Sequence, residues 1–240
     1  MIKSRVLLAG ALLAAAASSA HAGLTVTPAV TSDYDFRGVT QTENKAAFQL
    51  GATYAFDSGA YLGLWGSNVK FGKPPGTNLE LDVTGGYTFG DAKEGVAWDI
   101  GGVYYTYSGG TSPSDLNYLE VYAGATHDWF NAKVFYSPDF GGKATTGNTP
   151  AWYFSTTGTF ALPADFGFVA HAGYSVGDYW DKYGKSYLDW SVGFTKAIGK
   201  FTVGVSYVDG SDLPGAPRNQ PFSTASKVVG TISTTLPWSE

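Results

Sequence analysis

Cysteine is absent from the 240 residues. Without it there is no disulfide framework, and thiolate nucleophiles and thiolate metal ligands are excluded as well. Histidine is scarce, at 3 residues, which leaves little for a His-rich metal centre. Basic residues are outnumbered, 15 Lys and Arg against 20 Asp and Glu, so no basic footprint for nucleic acid exists. Beyond the N-terminus no apolar run approaches the ~18 residues of a spanning helix, so any crossing there is made by strands.

The N-terminus reads as an export signal. Lys3 and Arg5 form a basic start, Val6 to Ala17 is almost wholly apolar, and Ala20-His21-Ala22 fits a small-x-small cleavage site. The apolar run falls short of the roughly 20 residues a membrane anchor needs. Residues 1–22 are therefore expected to be a signal peptide and residues 23–240 a single domain. With Lys3 and Arg5 removed, 13 basic residues face 20 acidic ones, a formal charge of −7. The 32 glycines follow no triplet period, which excludes collagen, and 16% aromatic content suggests tight turns between aromatic-rich strands.

The dominant period is two. Successive side chains of a strand point to opposite faces, so a strand with two different surroundings alternates in polarity. Leu79, Leu81, Val83, Tyr87 and Phe89 share one phase against Glu80, Asp82, Thr84, Gly86 and Thr88. Leu188, Trp190, Val192 and Phe194 oppose Asp189, Ser191, Gly193 and Thr195, and Phe201, Val203, Val205 and Tyr207 oppose Thr202, Gly204 and Ser206. Similar patterns cover 48–56, 152–160 and 166–175, with further strands around 24–33, 96–107, 116–126, 131–137 and 226–236. Segment 60–71 changes phase between Leu62/Leu64 and Val69/Phe71, which predicts a bulge. The expected total is about twelve strands.

The connections alternate strictly in length. Short turns at 57–59, 90–95, 127–130, 162–165 and 197–200 separate longer links near 34–46, 72–78, 108–115, 138–150, 177–186 and 210–225. Outer-membrane barrels show this asymmetry, with short periplasmic turns and long outer loops. Twelve strands also bring both ends of the chain to the same side.

A soluble barrel or sandwich alternates too, but its water-facing phase is rich in Lys and Glu. Here the polar phase is mostly Gly, Ser and Thr with scattered acids, which suits a barrel interior. Trp98, Tyr104, Trp129, Tyr136, Trp152, Trp190 and Tyr207 favour a membrane boundary, where a ring has one apolar and one wet end. In lipid every backbone N–H and C=O must pair, which a closed ring of strands achieves. A charge on the lipid face costs about 2–4 kcal/mol at the midplane, which sends Glu80, Asp82, Asp99 and Asp189 inward. The expected fold is an all-β transmembrane antiparallel β-barrel.

The stretch Ser32-Asp33-Tyr34-Asp35-Phe36-Arg37-Gly38-Val39-Thr40-Gln41-Thr42 resembles the opening motif of the TorF family of porin-like proteins. The likeness continues through Ala47-Phe48-Gln49-Leu50-Gly51 and Ser58 to Val69, is strong over residues 32–90, and thins afterwards. It implies an outer-membrane porin-like protein whose partners are outer-membrane lipid and the barrel-assembly machinery, and it supplies no catalytic residues. One departure stands out. Many such barrels end on an aromatic residue, whereas here Trp238 is third from the end.

Enzymatic and metal chemistry find little support. Only His127 and His171 follow the signal segment, no phosphate-binding glycine loop occurs, and Asp33 with Asp35 falls short of the oxygen array calcium requires. His171 faces Ser155 or Thr157 across a strand pair, yet a hydrolytic triad also needs an orienting acid and an oxyanion hole. His127, beside Asp128, falls in a short turn. No cofactor is expected. The pore-lining candidates are Arg37, Glu80, Asp82, Asp99, Glu120, Lys133, Asp189 and Lys196, with Lys227 on the inward phase as well. Glu80, Asp82, Asp99 and Glu120 are expected to form an acidic wall, and such walls set selectivity in water-filled barrels. The expected function is passive diffusion of small hydrophilic solutes or ions. The alternatives are a closed barrel acting through its outer loops and a soluble periplasmic binding barrel.

Overall fold

A computed structural model describes residues 22–72, 76–143, 149–183, 185–211 and 218–238. The expected signal peptide, apart from Ala22, lies outside the described residues.

Twelve strands close into one antiparallel barrel. In chain order the elements are β1 (Gly23–Thr31), β2 (Asp35–Phe36), β3 (Val39–Thr40), β4 (Ala47–Ala55), β5 (Ala60–Asn68), β6 (Leu79–Phe89), β7 (Ala97–Ser108), β8 (Tyr118–His127), β9 (Phe130–Ser137), β10 (Ala151–Leu162), β11 (Phe166–Val176), α1 (Asp178–Tyr183), β12 (Tyr187–Ile198), β13 (Phe201–Ser211) and β14 (Lys227–Ser233). Strands β4 to β14 pair as consecutive neighbours, and β1 closes the ring between β14 and β4. The pair β2–β3 stands apart as a small hairpin in the first long link. Short turns and long links alternate as expected, and both ends of the ring lie on the short-turn side. Helix α1 and a 3-10 turn at Pro113–Leu116 sit in long links, each too short to leave a helical period in the sequence.

Burial inverts the order of a soluble protein. Large apolar side chains face out, among them Phe48 at 70% exposure and Val228 at 65%, whereas Glu80, Asp82, Glu120 and Asp189 are almost wholly enclosed. Trp98, Tyr104, Trp152, Trp190 and Tyr207 all take the outward phase. Trp190 packs on Tyr207 at 5.5 Å, and Tyr136 on Trp152 at 4.5 Å. An apolar belt around a closed hydrogen-bonded ring is a surface that lipid can cover without leaving backbone groups unpaired.

The expected bulge in 60–71 does not form. The register of β5 runs unbroken against β4 and β6. Tyr61, Gly63, Trp65 and Ser67 face inward, and Val69 and Phe71 continue that same phase. These two apolar residues are buried with Tyr34 because the inner surface here meets a folded-in loop instead of water.

Candidate functional site: the lumen and its inward hairpin

Residues 32–46 leave β1 at the long-link end and fold into the barrel. Asp33 organises the bend: its Oδ1 accepts the hydroxyls of Thr40 at 2.5 Å and Thr42 at 2.7 Å. Gln41 N–H donates to the Tyr34 carbonyl at 2.7 Å, and β2 pairs with β3 through Asp35↔Thr40 and Phe36↔Val39. Arg37 and Gly38 form the tip, with φ of 53° and 81°. Positive φ at both central residues makes a type I′ turn, whose twist matches a two-strand hairpin.

That tip crosses the lumen. On one side the Arg37 guanidinium forks onto Glu120 of β8, at 2.9 Å and 2.6 Å. It also lies over the rings of Tyr153 at 4.1 Å, Phe36 at 4.6 Å, Phe135 at 5.2 Å and Phe140 at 5.8 Å. On the other side Tyr187 of β12 donates its hydroxyl to the Arg37 carbonyl at 2.9 Å. A Cβ on Gly38 would stand 2.9 Å from that of Asp189, so only glycine lets the tip lie so close to the wall. Lys227 of β14 grips the base, 2.7 Å from Asp35 and 3.3 Å from Asp33. Burial raises the Asp35 carboxyl above its ordinary range even with Lys227 beside it. Glu43, at the far end of the same loop, is held below its ordinary range by a hydrogen bond from Lys70 and a second from Lys45.

Deeper in the lumen, side chains lie flat along the wall over glycines. Tyr61, Gly86, Gly101 and Tyr122 occupy one row across β5 to β8. A Cβ on Gly86 would fall 2.4 Å from the Tyr61 hydroxyl, and one on Gly101 would fall 2.5 Å from that of Tyr122. The two hydroxyls meet above these glycines, and Tyr61 also donates to Asp99 at 2.7 Å. Lys133 reaches Asp99 at 2.5 Å. On the opposite wall His171 Nδ1 is 3.0 Å from the Thr157 hydroxyl, while Nε2 is 3.2 Å from Asp189 and 3.0 Å from Tyr153.

The expected site residues divide as follows. Arg37 with Glu120, and Lys133 with Asp99, form charge pairs facing the lumen. Glu80 accepts from Tyr34 and Tyr107, each at 3.3 Å, while its Oε2 and Asp82 Oδ1 meet no protein donor. The acidic wall is shorter than expected: Glu120 aligns with Val103 and Thr84, but Asp99 aligns with Thr88 four residues further along β6. At about 3.3 Å per residue that places Asp99 roughly 13 Å from the Glu120 row. Asp189 faces His171. Lys196 corrects the expectation, because it shares the outward phase of Trp190, Val192 and Phe194. Its ammonium lies over the Phe166 ring at 4.6 Å and bonds the Ala164 carbonyl in the adjoining turn. A long stem lying along the apolar belt with its charge carried to the polar edge explains that position.

Sequence reasoning placed Lys227 inward but missed its grip on Asp33 and Asp35, and it missed Tyr61, Tyr122 and Tyr153 altogether. Their phase was readable, but their partners are set by register. His171 does face Thr157, and Asp189 is the acid that the sequence left unplaced. The strand N–H groups around them are engaged in the β10–β11 and β11–β12 ladders. Among the described residues no three His, Asp or Glu side chains converge as metal ligands. Among the described residues seven carboxylates of the lumen wall and hairpin (Asp33, Asp35, Glu80, Asp82, Asp99, Glu120, Asp189) face three bases, Arg37, Lys133 and Lys227, while the buried Glu43 is balanced by Lys45 and Lys70. The formal excess is four negative charges.

No curated protein matches the chain in sequence. Among solved structures the NanC porin is similar over 89% of this chain and 98% of its own, with a TM-score of 0.55 at 12% identity. The KdgM porin is similar over 90% and 99%, with a TM-score of 0.54 at 10% identity. A structure of KdgM in complex with disordered oligogalacturonate gives 88%, 97%, 0.53 and 10%. These likenesses establish a shared twelve-strand barrel architecture. In sequence, the family model described as a bacterial protein of unknown function, Gcw_chp, matches residues 14–236, and the chain belongs to that family.

Proposed function

We propose that this protein is an outer-membrane diffusion channel for small hydrophilic solutes and ions, exported with cleavage after Ala22 and selective for cations. The observation that carries the reading is the inverted barrel, apolar outside and charged inside. The barrel shared with the NanC and KdgM porins supports it, as does the likeness of residues 32–90 to TorF porin-like proteins. Selectivity is read from this chain's own charges. Oligogalacturonate, bound in the KdgM complex, is a polyanion, and a lumen with four excess negative charges repels such a solute. Inward acids closer together than the Debye length, about 8 Å at physiological salt, reinforce one another and favour a cation. The solute class is therefore cationic or neutral. Single-channel recording in planar bilayers tests the reading, which requires current steps carried mainly by cations.

A second reading rests on the hairpin. A tip spanning from Glu120 to Tyr187 and Asp189 obstructs the outer lumen, as in a closed barrel working through its outer loops. Absence of current from the intact chain and from a chain with Asp35–Thr40 replaced by two glycines favours that reading.

A further inference from the structure

The Arg37 side chain is a ligand that the chain supplies to its own lumen. Its receptacle belongs to the barrel wall and one long link: Glu120 on β8, Phe135 on β9, Tyr153 on β10, and Phe140 beyond β9. The Arg37 and Glu120 side chains are 8% and 2% exposed, and Tyr105 fixes the Glu120 carboxylate with a hydroxyl at 3.0 Å. A forked carboxylate facing a planar cation between aromatic rings matches the guanidinium group, whereas an ammonium offers only a point charge to one oxygen. The cation sits on a two-residue turn in a loop, so receptacle and occupant are separate parts. Asp82 and Glu80 lie one and two inward positions nearer the outer end, each with a carboxylate oxygen lacking a protein donor.

We propose that the Glu120 receptacle is a guanidinium-binding site in the permeation path, filled by Arg37 while the hairpin is seated. A solute carrying a guanidinium group takes the same place when the hairpin moves aside. The unpartnered oxygens of Glu80 and Asp82 draw such a cation in from the outer mouth. The motif at residues 32–42 then acts as a tethered competitor that sets which solutes enter. This inference rests on the channel reading and names its solute class.

The test uses the purified full-length chain in planar bilayers with agmatine, which carries a guanidinium, and putrescine, a diamine without one. Removing the tethered competitor raises the available fraction of the site, so Arg37→Ala should be blocked by agmatine at about tenfold lower concentration than wild type. Putrescine should show no such gain, and adding Glu120→Gln to Arg37→Ala should abolish the agmatine gain. Equal agmatine block in wild type and Arg37→Ala, or equal gains for both amines, overturns the proposal. The same amines are also tested on thermal unfolding in detergent, with Glu120→Asp replacing Glu120→Gln if the latter does not fold. Agmatine should raise the unfolding temperature of Arg37→Ala more than that of wild type, and putrescine should not. Absence of current from every variant defeats the channel reading alone. The unfolding shifts then decide the site by themselves, and equal shifts for the two proteins overturn it.

Discussion

Lys133 on β9 reaches over β8 to the Asp99 carboxylate on β7, 2.5 Å away, because the residue between them in the row is Gly124. A Cβ on Gly124 would meet the Lys133 stem at 2.6 Å. Sequence-distant charges are thus joined across a gap left by a missing side chain. The pair is enclosed, with Lys133 9% and Asp99 13% exposed at the side chain. Removing one partner of such a pair strands the other, at a cost of about 3–5 kcal/mol. Lys133→Met is expected to lower unfolding stability in detergent by that order. The double variant Lys133→Met with Asp99→Asn is expected to recover much of the loss. Equal stability of wild type and Lys133→Met contradicts this account of the pair.

Neighbouring residues on β12 should respond in opposite ways to the same substitution. Val192 faces out at 39% exposure and Ser191 faces in, opposite His171. Val192→Arg places a charge on the lipid face, costing about 2–4 kcal/mol near the midplane. Poor assembly is expected for Val192→Arg, and normal assembly with altered conductance for Ser191→Arg. The reverse ranking, read as the fraction of heat-modifiable folded protein, refutes the phase assignment.

Orientation follows from loop length. An epitope inserted within 212–217, in the link before β14, is expected to be labelled on intact cells. The same epitope at 57–59 should be labelled only after the outer membrane is opened. Labelling of 57–59 on intact cells means that the barrel is inserted the other way.

Acid should favour the seated hairpin. The Asp35 carboxyl titrates above its ordinary range in the folded state, so its contribution is fully present below the ordinary carboxylate value of about 3.9 and is lost as pH rises through the raised value. Glu43 works the other way, but lower: its bonds to Lys70 and Lys45 persist above the ordinary value and fade as pH falls through the lowered one. Between the ordinary value and the raised one Asp35 dominates the loop, facing Lys227 on β14 and Asp189 on β12. Conductance is expected to rise across that window in wild type and to rise less in Asp35→Asn. Identical profiles for the two proteins exclude Asp35 as the source.

The ring of strands was legible because lipid and lumen impose opposite polarity on alternate residues, and this survives in segments as clear as 79–89 and 187–195. Legibility failed where the surroundings change along a strand. Val69 and Phe71 read as a phase shift because apolar residues were assigned to lipid, whereas here they meet the hairpin. Lys196 was placed inward although it shares the parity of Trp190, Val192 and Phe194, so its outward position was readable, and its length lets the charge leave the belt. The motif at residues 32–42 stood out by resemblance and Arg37 was placed at the lumen, yet nothing in the motif says that the whole loop folds inward as a hairpin. Pairs such as Asp99–Lys133 and His171–Asp189 depend on register between strands, which an alternating pattern leaves open.

The most direct test of the central claim is the reversal potential of the purified chain in a planar bilayer under a salt gradient. The uncompensated acids Glu80 and Asp82 predict a cation-selective current whose preference weakens as salt is raised, since screening shortens their reach. The double variant Glu80→Gln with Asp82→Asn is expected to reduce that preference while still conducting. An anion-selective current, or selectivity unchanged in the double variant, contradicts the account.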